Sequence, residues 1–229
     1  MRIYEFANLT ELRKDSEAIK SLHDLKMDVF APLDHEENRN RKIYDLMKTR
    51  GWQVVGAGTN ASVFINPSYP FALKIFRDKD ICYTNFVEAS KQTDNPHLPK
   101  FKGKVVSIGG GFKAVRLEKL KPLSFEEYEK QIGLLSYIEY KLGRESSHSG
   151  IENTLFDMNP ELSNDSDVIA LIQKLAYEFE KENPNFTKAF AIVSNVVEKT
   201  GCSYDFGNEN FMKRGQTIVI ADPLYPFFT

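Results

Sequence analysis

Near the end of the sequence, Asp205 is followed five residues later by Asn210, and Asp222 stands twelve residues beyond that. These are residue types that phosphoryl transfer requires: a carboxylate beside the attacking hydroxyl, and hard oxygen donors for magnesium. Taken singly, Asp205 and Asn210 serve equally well as turn caps, and Asp222 as the start of a turn with Pro223. Three features precede them. Gly56 and Gly58, in the stretch Gly56-Ala57-Gly58-Thr59-Asn60-Ala61, fall between two strand-like segments, where missing side chains would let backbone amides approach a polyphosphate. A hairpin needing positive backbone angles explains the same glycines. No GK[ST] follows, so this is not a helix-opening phosphate loop. Lys74, in FALKIF, would carry an ammonium to the α and β phosphates, the alternative being a solvent-facing strand lysine whose stem covers apolar surface. Glu88, fourteen residues on in TNFVEASKQ, is the helical carboxylate best spaced to hold that lysine, because Asp78 and Asp80 come too early to project from a packed helix. The order of these features predicts that they converge around one triphosphate.

The elements that must position them are marked by periodicity and punctuation. Leu9, Leu12, Ile19, Leu22 and Leu25 recur at helical spacing, and the pattern resumes after Pro32 through Ile43, Leu46 and Met47, giving two helices. The charged run DHEENRNRK at 34–42 reads as a solvated helix face. From Gly51 the texture changes to WQVVGAG, ASVFIN and FALKIF, three short β-rich runs that form an antiparallel meander. A helix is expected over about residues 79–92. KVVSI and FKAVRLEKL then flank Gly109, Gly110 and Gly111 as a hairpin, with a bare turn rather than a phosphate loop because a strand resumes at once. Beyond Pro122 the chain is helical, with ends marked by Ser124, by SNDSD before Val168, by Pro184 and by Gly201. Phe186, Phe190, Val193 and Val197 are expected on one face of the last helix. The loop SYDFGNEN, two strands FMKR and TIVIA, and Asp222-Pro223 follow. The natural divisions are residues 1–50, 51–120 and 121–229.

Composition narrows the class. A chain of 229 residues, 41% hydrophobic and 12% aromatic, buries a real core as one domain or as one domain in two lobes. Thirty basic against 32 acidic residues, a formal charge of -2, give no general attraction to nucleic acid or to anionic membrane. Cys82 and Cys202, without metal-ligand spacing, argue against a disulfide framework and against a zinc site. With no apolar signal core and no run of about 20 apolar residues, the expected location is the cytoplasm. Nothing in the sequence indicates an oligomeric state.

At this point the sequence resembles the protein-kinase-like superfamily, and most closely the small kinase-like proteins of short-tailed bacteriophages, over roughly residues 51–224. SYDFGNENFM is similar to that group's catalytic loop, and TIVIADPL to its metal-binding strand end, with Asp-Pro in place of Asp-Phe-Gly. The resemblance implies an α+β, two-lobed minimal kinase-like fold: a helical extension at 1–50, an antiparallel N-lobe sheet with one helix at 51–120, and a mostly helical, truncated C-lobe at 121–229. It implies ATP and Mg2+ as cofactors. Asp205 would be the catalytic base or hydroxyl-orienting group, and Asn210 and Asp222 would hold the metal. Lys74 would contact the phosphates and Glu88 would pair with it. The turn from Gly56 through Ala57, Gly58, Thr59 and Asn60 to Ala61 would cover the triphosphate, and the backbone at Leu117–Leu120 would meet adenine.

Three departures stand out. Gly207 occupies the position where related phosphotransferases carry His or Lys beside the transferred phosphate. Ala61 replaces the third loop glycine. Only seven residues follow Asp222, too few for an activation segment and peptide-binding helices. The resemblance implies a protein Ser/Thr kinase acting on bacterial host proteins, in the host cytoplasm if phage-encoded. A pseudokinase or ATP-binding interaction module, for which Gly207 speaks, and a small-molecule kinase of the aminoglycoside type are the alternatives.

Overall fold

A computed structural model describes residues 36–58, 60–109, 111–143, 155 and 165–226. The helix expected through Leu9–Leu25, Thr59 of the glycine turn, Gly110, and the first residues of the SNDSD cluster lie outside the described residues. The chain is a mixed α+β protein in two compact units. One comprises residues up to Asp80 together with Phe101–Lys119, and the other Ile81–Lys100 together with the chain from Leu120 onward.

The first unit is a five-stranded antiparallel sheet covered by helix α1 (Glu36–Thr49). Its strands are β1 (Gln53–Ala57), β2 (Ala61–Ile65), β3 (Phe71–Arg77), β4 (Phe101–Gly109) and β5 (Phe112–Glu118), in the order β1-β2-β3-β5-β4. The meander expected for the first three strands is present, and β5 inserts between β3 and β4. Alternation along β3 sends Phe71, Leu73 and Ile75 to one face, where they pack with Phe64, Ile108, Phe112 and Ala114 under Ile43 and Met47 of α1. Trp52 closes this core, stacked on Tyr69 at 5.1 Å. The other face of β3 carries Ala72, Lys74 and Phe76, and these are buried too. A strand buried on both faces reads as a nearly continuous apolar run, and Lys74 interrupts it.

The second unit contains α2 (Ile81–Lys91), a two-residue strand β6 (Lys121–Pro122), α3 (Phe125–Glu129), α4 (Ile132–Leu142), α5 (Asp165–Glu182) and α6 (Pro184–Thr200). It ends with β7 (Ser203–Tyr204), a 3-10 turn at Asn208–Asn210, β8 (Phe211–Arg214), β9 (Thr217–Ile220) and β10 (Leu224–Tyr225). Pro184 occupies the first turn of α6, where its missing N–H costs nothing, and Gly201 ends the helix in the left-handed conformation at φ 69°. The buried face of α6 is Phe186, Ala189, Phe190, Val193 and Val196. Val196 is buried and the expected Val197 is half-buried, so the stripe is wider than the four expected residues.

The segment after α2 clamps the β8–β9 hairpin. Ile220 N–H donates to the His97 carbonyl at 2.9 Å, and the Arg214 guanidinium donates to the Pro96 and Leu98 carbonyls at 2.6 and 2.9 Å. A covalent tie was not expected from two cysteines 120 residues apart, yet Cys82 on α2 and Cys202 after α6 form a disulfide with Cα atoms 6.1 Å apart. Counting cysteines registers neither their tertiary proximity nor their burial; both are almost fully inaccessible.

A cross-link closing a loop of this length restricts the unfolded chain strongly, on the scale of about 2–4 kcal/mol. Cys82→Ser is therefore expected to lower the urea midpoint of the oxidised protein, and to make that midpoint insensitive to dithiothreitol. A wild-type midpoint unchanged by reductant would count against the cross-link.

Candidate functional site

The loop that carries Asp205 is built before the side chains are considered. Gly201 turns the chain out of α6, and β7 pairs with β10, Tyr204 opposite Leu224. Asp205 N–H donates to the Pro223 carbonyl at 2.7 Å, which fixes the start of the loop beside the chain just beyond Asp222. The loop closes through Asn210 N–H to the Gly207 carbonyl at 3.0 Å. The Asn210 carbonyl then accepts from Ala221 N–H at 2.8 Å and Asp222 N–H at 3.4 Å. Asn210 is thus held between Asp205 and Asp222 by its own backbone. Its side-chain amide donates to the Asp205 carbonyl at 3.0 Å, which leaves the carboxamide oxygen as the atom suited to a metal.

Rings lock the loop from behind. Phe190 of α6, Tyr204 and Phe206 stack on one another at centroid distances of 5.4 to 6.0 Å, and Phe206 stacks on Phe211 at 5.8 Å. Asp205 therefore lies in the chain between two rings that stack on each other. Burial pushes its carboxyl above the usual range, and Asp222 and Glu209 push it further, while hydrogen bonds from the Asn210 side chain and the Gly207 amide pull the other way.

Glu209 was not singled out in the sequence. A Cβ placed on Gly207 would meet the Glu209 carboxylate at 2.7–2.8 Å, so Glu209 fills the space that a side chain at 207 would take. The φ at Gly207 is -62°, which any residue adopts, and the exposed Glu209 side chain can swing aside, so neither backbone conformation nor room requires glycine here.

Helix α3 begins where Ser124 marked a helix end in the sequence; its tie to the Asp205 loop was not expected. Ser124 and Glu127 cap it reciprocally, Glu127 N–H donating to Ser124 Oγ at 3.2 Å and Ser124 N–H to Glu127 Oε2 at 3.0 Å. Lys213 of β8 adds a 2.5 Å ion pair to Glu127. That pair, helped by the Ser124 groups, pulls the Glu127 carboxyl down to about 2. Tyr128, one residue on, donates its hydroxyl to the Phe206 carbonyl at 2.7 Å. The S-x-x-E signature was legible; its contact with the Asp205 loop required the tertiary fold.

In the first unit, Lys74 lies at the centre of β3, opposite Val63 of β2 and Val115 of β5, and is 4% exposed. A solvent-facing lysine is excluded. Neither Gly56 nor Gly58 has a positive φ, so that explanation of the pair does not hold. Gly56 sits at a bulge in the β1–β2 ladder, and Gly58 N–H donates to the Ala61 carbonyl at 2.9 Å across the turn. A Cβ at either position would touch nothing closer than 3.8 Å, so local packing does not demand glycine there. Asn60 holds the far side of the turn, its carbonyl accepting from Arg77 N–H at 3.0 Å, and Ala57 and Ala61 end and begin the two strands. Glu88, on the exposed side of α2, is half-exposed and pairs with Lys91 at 3.4 Å.

The donor set of the second unit suits magnesium that brings phosphate with it. Among the described residues no group of three His, Cys, Asp or Glu side chains is placed to hold a metal alone. An amide oxygen and one carboxylate, with phosphate and water oxygens completing the shell, is how magnesium is usually held in phosphoryl-transfer sites.

The Glu127 carboxyl gives a pH test with a definite sign. Its folded value lies below its ordinary 4.5, so its contribution to stability is complete above about pH 4.5 and fades as pH falls toward about 2. The difference in Tm between wild type and Lys213→Met is expected to be constant at neutral pH and to shrink across that window. A difference that grows on acidification would exclude the pair as the cause.

No family model and no curated protein matches the sequence. Among solved structures, the chain is distantly similar to APH(2'')-IIa in its streptomycin–ATP ternary complex, over 84% of this chain and 71% of that one, at 18% identity and a TM-score of 0.31. It is similar to the ADP-bound aminoglycoside phosphotransferase APH(2'')-Ib over 83% of this chain and 70% of that one, at 18% identity and a TM-score of 0.31.

Proposed function

We propose that this chain is an ATP- and magnesium-dependent phosphotransferase of the protein-kinase-like kind. The observation that carries the reading is the clamp on Asn210, whose backbone carbonyl takes the amides of Ala221 and Asp222 while its side chain takes the Asp205 carbonyl. That arrangement gathers one carboxylate for an attacking hydroxyl and two oxygen donors for a cation. In this reading Asp205 orients the hydroxyl and takes its proton as the new P–O bond forms and the bond to the departing ADP breaks. Asn210 and Asp222 hold magnesium, which supplies charge neutralisation at the phosphates. Lys74, a buried ammonium on an otherwise apolar strand, is assigned to the α and β phosphates, and the turn at Gly56–Ala61 to covering them.

The acceptor we assign is a protein hydroxyl, on the motif resemblance to phage kinases. The alternative of a nucleotide-binding module that transfers nothing has one specific observation in its favour. Beside Gly207, where a cation would assist the transferred phosphate, there is the carboxylate of Glu209.

Labelled ATP with magnesium, incubated with the protein alone and with bacterial lysate, tests the reading. Label is expected on protein bands, with Asp205→Asn lowering the rate by at least about a hundredfold, and with Asp222→Asn abolishing magnesium-dependent nucleotide binding. Magnesium-dependent binding without transfer supports the non-catalytic alternative, and label on a small cationic metabolite alone would replace the protein acceptor. Lys74→Ala is expected to weaken nucleotide binding, and unchanged binding would remove Lys74 from the site.

A further inference from the structure

The phenol of Tyr128 is 6% exposed, and burial, with the nearby Glu209 charge, pushes its hydroxyl up to about 12, so it remains a donor throughout the working pH range. Its partner is the carbonyl of Phe206 at 2.7 Å. That carbonyl and the Gly207 N–H are opposite ends of one peptide unit, which is planar and trans, so the two groups point in opposite directions. The Gly207 N–H lies close enough to the Asp205 carboxyl to favour its ionised form. A hydroxyl that holds one end of the peptide therefore aims the other end at the Asp205 side chain.

We propose that Tyr128 is a positioning residue for Asp205, acting through the Phe206–Gly207 peptide; as a role in transfer this rests on the phosphotransferase reading. Glycine at 207 makes the device necessary. Without a side chain at 207, the N–Cα bond on that side of the peptide has little steric restriction of its own, which leaves the peptide freer to rotate. The hydroxyl is itself well anchored. Tyr128 packs its ring on Phe211 at 5.6 Å, and α3 is held to β8 by the Glu127–Lys213 pair and by β6, whose Lys121 and Pro122 pair with Lys213 and Met212. Position is thus transmitted from the hairpin that follows Asn210 back to the peptide that precedes it.

Tyr128→Phe keeps the ring and removes the hydroxyl. In the full-length protein without nucleotide, amide hydrogen exchange at Gly207 is expected to quicken by about tenfold, the equivalent of one hydrogen bond, while exchange in the β3–β5 ladder stays unchanged. In the transfer assay kcat is expected to fall by about tenfold with KM for magnesium–ATP within about twofold, because the phosphate contacts are intact. Tyr128→Phe added to Asp205→Asn is expected to cost nothing further. Unaltered exchange at Gly207, or equal losses in the single and the Asp205→Asn backgrounds, overturns the proposal. If the wild type transfers nothing, the phosphotransferase reading fails, and the exchange measurement still decides whether Tyr128 holds the peptide. Should Tyr128→Phe not fold, Ser124→Ala opens the helix cap without touching the phenol, and faster Gly207 exchange is again the supporting result and unchanged exchange the opposing one.

Discussion

The constraint on which the second unit depends is a single carbonyl, that of Asn210. By accepting the amides of Ala221 and Asp222 it joins the end of the Asp205 loop to the end of β9, so that two segments separated by a hairpin become one surface. The hairpin exists to make that possible. Phe211 and Ile220, paired across the hairpin, and Val219 on the opposite face are fully buried, while the Arg214 and His97 contacts tie the hairpin to the segment after α2. If β8 and β9 slipped by one residue, every side chain would exchange faces and the Asn210 carbonyl would lose both partners.

Around that carbonyl the molecule collects like charges at some cost. The Asp205 carboxyl is held above its ordinary range by burial and by its acidic neighbours, so its ionised form is disfavoured in the fold compared with the unfolded chain. A fold selected for stability alone would place a neutral residue there. The surrounding structure offsets the cost with an aromatic stack from Phe190 to Phe211 and with the disulfide that anchors the preceding segment to α2. Rigid backing and an electrostatically unfavourable front are a combination that a ligand cation would relieve.

How much of this was legible follows from the kind of signal each part emits. The strands of the sheet announce themselves by alternation and β-branched residues, and the ends of α3 and α6 by Ser124, Pro184 and Gly201, because these depend on local chemistry. The Asp205, Asn210 and Asp222 spacing was readable for the same reason, being set by one loop and one hairpin. What escaped was non-local. Cys82 and Cys202 meet only once α2 and α6 pack, and Tyr128 meets Phe206 across 78 residues of sequence. Glu209 escaped differently: it lies inside the motif, but its role depends on the direction in which its side chain folds. The Lys74 reading could not be decided from sequence, since burial separates a functional lysine from a surface one.

Gly207 changes meaning in the light of Glu209. As a bare departure from a pattern it looks like the loss of a cationic aid. The Glu209 carboxylate lies close to where a Cβ would stand, so the group nearest this position is acidic. The loop from Ser203 to Asn210 contains Asp205 and Glu209 and no basic residue. In the phosphotransferase reading, positive charge at the transferred phosphate would then come from outside this loop: from Lys74, from magnesium or from a group on the acceptor. In that reading a loop with no cation of its own places more weight on the orientation of Asp205, and the Phe206–Gly207 peptide held by Tyr128 is the proposed means of supplying it.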